Sequence, residues 1–228
     1  MPNWIKTAVR RSIAEALVPA LSVTGFRFKK SASVFARKID GGSQELSLAI
    51  IDCNPVFKFS LSLCVRLDSV QDITNKFSGA PVEYHETTLT SITQLEHLGL
   101  TPNTSHGAQF TVRSESELIA ILPHLTEIVR SKVMPFFEKY ITIDAINEGL
   151  NPPGAERDAF ERPWPCGRQA FDATNYPYRA MTAIVVAHLA KDPRFSQLLP
   201  AYRSQLRYYA EVDRMKFENV VLHLQASH

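Results

Sequence analysis

The stretch GFRFKKSASVFARK, residues 25–38, places five basic side chains and three phenylalanines within fourteen residues. Arg27, Lys29, Lys30, Arg37 and Lys38 are of the type that contacts phosphates. Phe26, Phe28 and Phe35 are of the type that stacks on bases. A second concentration lies at 151–174, NPPGAERDAFERPWPCGRQAFDAT. There Arg162 and Arg168 stand among acidic residues beside Phe160, Trp164 and Phe171, the mixture used by interface hot spots. The same stretch carries Cys166, whose thiolate would be a nucleophile, but no histidine stands near it in sequence to activate it. A third group, Arg203, Arg207 and Tyr208, falls outside the apolar stripe Phe195, Leu198, Leu199, Tyr202, Leu206 and Tyr209.

Other chemistry has less to build on. The seven histidines form no HxxxH or HxH pair and the three cysteines no CxxC, so no metal site is expected. No phosphate loop, dinucleotide fingerprint or nucleophile elbow occurs, and no cofactor is expected. The carboxylate pairs Glu115/Glu117 and Asp144/Glu148 fall on helical segments, where charged faces are ordinary. The expectation is a protein that is not an enzyme. The contrary reading is a catalytic site that assembles only in space, from Arg37, Asp52 or a group of histidines.

The chain has 228 residues, 45% apolar and 21% charged, with a formal charge of +2. That length suits one large domain or two small ones. So small a charge excess makes any nucleic-acid reading depend on local clustering. Lys6, Arg10, Arg11 and Glu15 interrupt any apolar core of a signal peptide, and no run of about 18 apolar residues exists, so no membrane partner is expected. Three cysteines far apart make no disulfide framework, which points to a reducing cytoplasm.

The elements that must position these residues follow from periodicity. Residues 4–21 read as a helix, with Asn3 as cap and Pro19 kinking or ending it. The period then becomes two. Strands are expected at Ser33–Ile39, Gln44–Asn54 and Phe57–Arg66, with less distinct ones near Thr88–Leu98 and Gln109–Arg113. Asp40-Gly41-Gly42-Ser43 joins the first two as a hairpin turn. In that register Lys38 faces Glu45, Phe35 faces Leu48, and Arg37 lies beside Leu46 with Asp52 as its candidate acid. The same register sets Cys53 opposite Lys58 and Cys64 opposite Ser47, about 20 Å apart and too far for a disulfide. The hairpin thus reads as phenylalanines in the core and charges in solvent.

From Ser114 the chain reads as helical. Ser114 and Glu117 have capping-box spacing, and Leu118, Ile121, Leu122, Leu125, Ile128, Val129 and Val133 form a stripe bent or restarted at Pro123. Helices follow at Ile143–Leu150, Tyr178–Ala190, Arg194–Tyr209 and Asp213–Leu224, with Asp192 as a cap and Pro193 at a first helical position. The expected class is α+β: an N-terminal helix on an antiparallel sheet of about five strands, then a mostly helical C-terminal half. The expected division is a sheet domain over 1–150 and a loop plus helical lobe over 151–228, packed as one unit.

Gly25, Phe26, Lys29, Lys30, Phe35 and Arg37, after an opening helix and together with PFFEKY at 135–140, resemble a group of bacterial domains of unknown function. Those domains open with a helix, a Gly-Phe-x-(x)-Lys-Lys turn and an F-x-R strand. The resemblance covers residues 1–150 and is similar in size and style to the immunity proteins of bacterial toxin–antitoxin systems. It implies a soluble protein that binds another protein, such as a toxin, and it brings no catalytic residues. The partner surface is then expected at Phe160, Arg162, Trp164 and Arg168, with Arg203 and Arg207 behind them. The alternative partner is nucleic acid, held by Arg27, Lys29, Lys30 and Lys38.

Overall fold

Alternation of apolar and polar side chains carries the chain through the centre of a six-stranded antiparallel sheet. The computed structural model describes residues 5–98, 109–154 and 177–226. Helix α1 (Lys6–Ser22) leads into strands β1 (Arg27–Lys29), β2 (Val34–Ile39), β3 (Gly42–Asp52) and β4 (Phe57–Leu67). Helix α2 (Asp68–Ser78) and a 3-10 turn (Val82–Thr87) precede β5 (Ser91–Gln94), and β6 (Phe110–Val112) follows. The sheet order is β1-β2-β3-β4-β5, with β6 also paired to β4. The remaining helices are α3 (Glu115–Ile128), α4 (Met134–Lys139), α5 (Ile143–Leu150), α6 (Tyr178–Leu189), α7 (Phe195–Leu206) and α8 (Glu211–Ala226). A π-helical turn over Val129–Val133 joins α3 to α4. The α+β class holds, and β1 is the strand beyond those read from the sequence.

The hairpin register differs from the expected one by two residues. The turn is Asp40–Gly41, with Gly41 at φ 64° and Ile39 opposite Gly42. Only glycine takes that left-handed conformation without strain. Lys38 therefore faces Ser43, Arg37 faces Gln44 and Phe35 faces Leu46. The expected Lys38–Glu45 pair does not form, because Glu45 lies opposite Ala36 and pairs instead with Lys29 of β1 at 4.0 Å. A two-residue slip leaves every side chain on its own face. Phe35, Leu46, Leu48 and Ile50 are accordingly all buried.

Neither Pro19 nor Pro123 ends its helix: α1 runs on to Ser22 and α3 to Ile128. Each proline is exposed, and the carbonyl it leaves unbonded belongs to an exposed residue, Glu15 or Ile119. Water can serve those carbonyls, so the helix continues. At the start of α3, Ser114 Oγ accepts from the Glu117 N–H at 3.2 Å. Glu117 returns the contact by accepting from the Arg113 N–H at 2.8 Å.

The chain forms two compact units that interleave in sequence. One draws on the described residues of 1–64 and 93–139, the other on those of 65–92 and 140–228. In the first, Val9, Ile13, Leu17 and Leu21 of α1 are fully buried, and α1 packs on β1, β3 and α3. Phe26 meets Phe137 of α4 with ring centroids 5.1 Å apart. Arg37 lies over the Phe26 ring, and its partner is not Asp52. Its Nε donates to Gln44 Oε1 at 2.8 Å, one terminal nitrogen donates to the Thr24 carbonyl at 3.0 Å, and the guanidinium lies 4.7 Å from the centre of the Phe26 ring. Asp52 accepts instead from the Asn54 N–H in its own turn. Burial lowers the Arg37 pKa and the nearby Glu138 charge opposes that shift. A guanidinium stays charged regardless.

In the second unit, α6 is buried on all sides from Arg179 to Ala187 and packs on α2, α5, α7 and α8. Helix α2 escapes a search for apolar periodicity because its inward face is polar: Gln71, Thr74 and Asn75 are buried beside Val70. Gln71 Nε2 donates to Thr90 Oγ1 and Asn75 Nδ2 to Thr88 Oγ1, so the amide donors of this face are satisfied, while Asn75 Oδ1 is buried without a hydrogen-bond partner among the described residues.

Gln44 is fully buried and its Nε2 donates to the Phe137 carbonyl at 2.7 Å. Gln44→Ala strips partners from both that carbonyl and Arg37 Nε. The expected cost is about 2–3 kcal/mol, read as a lower urea midpoint at unchanged slope.

Candidate interaction surface

Phe160, Arg162, Trp164 and Arg168 lie outside the described residues, as does Cys166. The described residues on either side are held by buried polar bonds within the second unit. On the near side, Arg194 donates to the Asn151 carbonyl at 2.8 Å and to the Pro152 carbonyl at 3.2 Å. The same guanidinium donates to Asp192 Oδ2 at 2.7 Å. Asn147 Nδ2 also donates to Asp192 Oδ2 at 2.7 Å, Asn151 Nδ2 donates to Asn147 Oδ1, and the Tyr202 hydroxyl donates to Asn151 Oδ1. One chain of bonds thus ties α5, α6 and α7 together, since Asn151 also donates to the Ala183 carbonyl. On the far side, the Tyr178 hydroxyl donates to Gln71 Oε1 at 2.5 Å, and burial pushes its pKa up.

The hydrogen bond from Arg194 holds the Asp192 carboxyl at a pKa of about 2, against an ordinary value of 3.8; burial works in the opposite direction. Asp192 also accepts from the Arg194 backbone N–H at 2.8 Å. Helix α7 begins at Phe195, so Pro193 precedes the helix and does not occupy its first position.

A second polar group surrounds Arg66. Its Nε donates to Asp68 Oδ1 at 2.7 Å, and one terminal nitrogen donates to the carbonyls of His85 and Thr88 and to the Thr88 hydroxyl. These bonds fix the 3-10 turn to the end of β4. His85 is spent structurally, its Nε2 lying 2.9 Å from the Ala80 carbonyl oxygen. Among the described residues, no group of three or more His, Cys, Asp or Glu could hold a metal ion. Cys53 and Cys64 are free thiols, and burial pushes the Cys64 thiol up to about 12, which leaves it unreactive.

Arg203 and Arg207 differ in what they offer. Arg203 makes a two-pronged ion pair with Glu218 of α8, at 2.8 and 2.7 Å, and locks α7 to α8. That hydrogen bonding raises its pKa. Arg207 lies over the Tyr208 ring, 4.6 Å from its centre, and donates to the Tyr208 hydroxyl. Tyr208 is 65% exposed. Beyond it, α8 carries a feature that the apolar pattern of 213–224 hides. Its inner face, Phe217, Val220, Val221 and Leu224, is buried, while Val212, Met215 and Leu222 on the opposite face are more than half exposed. The signal was the spacing of those three residues, one face of a helix that begins two residues earlier than expected.

Arg27, Lys29, Lys30 and Lys38 are exposed, while Arg37 is half-buried. Arg27 and Lys29 of β1 and Lys38 of β2 point to one face of the sheet by their register, with Glu45 among them. Phe28 and Phe35 point to the other face, in contact at 4.7 Å. The structure therefore separates these cations from the rings that were candidates for stacking. Lys30 follows β1 in the turn.

Comparison with known proteins finds no matching family model, and neither a curated protein nor a solved structure matches the chain. Among the described residues no helix is long and apolar enough to cross a membrane.

The depressed Asp192 pKa gives a testable pH dependence. A carboxylate with a folded-state value below its unfolded value contributes stability above the unfolded value and loses it as pH falls through the folded one. Stability should therefore decline between about pH 4 and about pH 2. Asp192→Asn should flatten that decline, read as urea midpoints measured across the window.

Proposed function

We propose that this protein acts by binding another protein, and that its concrete form is an immunity protein that sequesters a bacterial toxin in a reducing cytoplasm. The observation that carries the reading is the exposed corner at the end of α7. There the Arg207 guanidinium rests on the Tyr208 ring, and the apolar residues Val212 and Met215 follow in the chain. Arginine and aromatic side chains held in one geometry lose little rotamer entropy on binding, which is why they anchor interfaces. Arg203 supports the corner from behind, since its bond to Glu218 fixes α7 against α8. Phe160, Arg162, Trp164 and Arg168, which lie outside the described residues, belong to the proposal by their composition. Their segment enters and leaves through the anchored residues Asn151 and Tyr178.

The test is capture of partners from a lysate of the source cell on the immobilised full chain, at moderate salt with nuclease present, followed by mass spectrometry. One stoichiometric protein partner is expected. Arg207→Ala combined with Tyr208→Ala should weaken its binding about tenfold or more, and Trp164→Ala with Arg168→Ala should do likewise. Unchanged affinity in both double variants overturns the surface. Retention of nucleic acid alone, only without nuclease, moves the function to Arg27, Lys29, Lys30 and Lys38, with a steep salt dependence.

A further inference from the structure

Three rows of side chains cross the face of β1, β2 and β3 that points away from Phe28 and Phe35. Lys38 stands beside Ser43, Arg27 beside Ala36 and Glu45, and Lys29 beside Val34 and Ser47. Rows of this kind lie about 7 Å apart along the strands, and neighbouring strands about 4.8 Å apart. Lys30 adjoins them in the turn after β1. Glu45 is the one acid in the three rows, and it pairs with Lys29. Arg27, Lys30 and Lys38 have no acidic partner among the described residues. Below these long side chains the floor is short. Val34 and Ala36 are buried, while Ser43 and Ser47 are half-buried, and neither hydroxyl makes a hydrogen bond among the described residues. The imbalance extends beyond the face. Residues 1–64 hold nine basic and four acidic residues, although the whole chain holds 25 and 23. Cations gathered without counter-charges repel one another, so the face suits a partner that brings negative charge to it.

We infer that this face binds double-stranded RNA through its sugar–phosphate backbone. Arg27, Lys30 and Lys38 contact phosphates, and Ser43 and Ser47 meet the sugar hydroxyls between them. Charge complementarity selects a polyanion. The position of the aromatic rings selects a duplex. A single strand is held by stacking its bases on aromatic side chains. Here Phe35 is buried and Phe28 packs against it on the opposite face, so the cations have no stacking platform beside them. A duplex keeps its bases stacked inside and offers phosphates outside. The shape of the face selects RNA. The deep major groove of B-form DNA is read by an inserted helix or ribbon, and this face is a flat sheet. An A-form RNA helix has a wide, shallow minor groove lined with 2′-hydroxyls, which a flat surface bearing short serine hydroxyls can meet. Such contacts carry no base sequence, so binding is set by shape and charge. Glu45 works against the partner, both by its own charge and by holding Lys29. The face belongs to the first unit, whereas Arg207 and Tyr208 belong to the second, and the inference stands independently of the proposed function.

The experiment is fluorescence anisotropy of the full chain titrated onto a labelled RNA duplex of arbitrary sequence, across a series of salt concentrations. A DNA duplex, a single-stranded RNA and vesicles of anionic lipid are run beside it. The expected result is binding to the RNA duplex at low salt, with log K falling against log salt at a slope of about −3, as three or four phosphate contacts require. Arg27→Glu and Lys38→Glu change exposed side chains. Each should weaken binding at least tenfold and leave the urea midpoint unchanged, and the neutral variant Lys38→Gln should reduce the slope by about one. Glu45→Gln should tighten binding several-fold, a gain that a merely structural role for Glu45 would not produce. No binding to the RNA duplex at low salt overturns the inference, and so does binding that both Arg27→Glu and Lys38→Glu leave unchanged. Equal affinity for the DNA duplex overturns the part given to the serine hydroxyls, and tighter binding of the single strand overturns the duplex. Association with the vesicles alone assigns the face to an anionic lipid surface. A chain that binds RNA and captures no protein in the presence of nuclease would overturn the proposed function and leave this inference standing, and the reverse would do the opposite.

Discussion

The first unit is organised around a guanidinium that cannot shed its charge. Arg37 sits on the inward face of the sheet, where alternation places it, so it needs acceptors on that face. It finds the Gln44 oxygen across the hairpin, the Thr24 carbonyl at the end of α1 and the face of Phe26. Gln44 passes the requirement on, since its own amide is buried and must donate, and the Phe137 carbonyl accepts. Gly25 at φ 87° turns the chain between Thr24 and Phe26. Four separate stretches of sequence are thereby tied to one charge. Gly25, Phe26, Arg37 and Phe137, which read as scattered signature residues, are parts of a single packing arrangement. That accounts for their types without any ligand.

The sheet was legible because its faces were. The strand from Phe57 alternates so regularly that burial follows sequence with one exception near its end, where Cys64 and Arg66 are buried too. Register was less legible, because the choice between a two-residue and a four-residue turn rests on which glycine of Gly41-Gly42 takes the left-handed conformation. Either choice buries the same residues. The consequence appears only in pairing, where Glu45 goes to Lys29 and not Lys38. Helix α2 was illegible for the opposite reason. Its buried face consists of Gln71, Thr74 and Asn75, and what stabilises it is a set of partners more than ten residues away in sequence, together with Tyr178. A pattern search sees polarity there and reads surface. The two interleaved units were equally hidden, since no single linear boundary separates 65–92 and 140–228 from the rest.

The candidate site was legible as composition and not as geometry. Arg203 and Arg207 both stand outside the stripe of α7, yet one is committed to Glu218 and the other rests on an exposed ring. Spacing along one helix cannot distinguish them, because the difference lies on α8. The ion pair is exposed on both sides, so its contribution to stability is modest. It joins α7 to α8 near the turn that carries Arg207 and Tyr208, beside the buried contact of Tyr202 with Phe217.

Helix α8 shows the limit of reading a helix by one stripe. A helix with an apolar face has one neighbour to find; a helix with apolar residues on opposite faces has two. The second unit supplies the first neighbour, since α2, α6 and α7 cover Phe217, Val220, Val221 and Leu224. Val212, Met215 and Leu222 face away from it. Three such side chains in one line are not explained by the scatter of single apolar residues that any surface carries. The polar side chains at the margins of that line are turned back on the chain's own helices: Glu218 is held by Arg203 of α7, while Lys216 lies beside Gly79 and His223 against Phe77 at the end of α2.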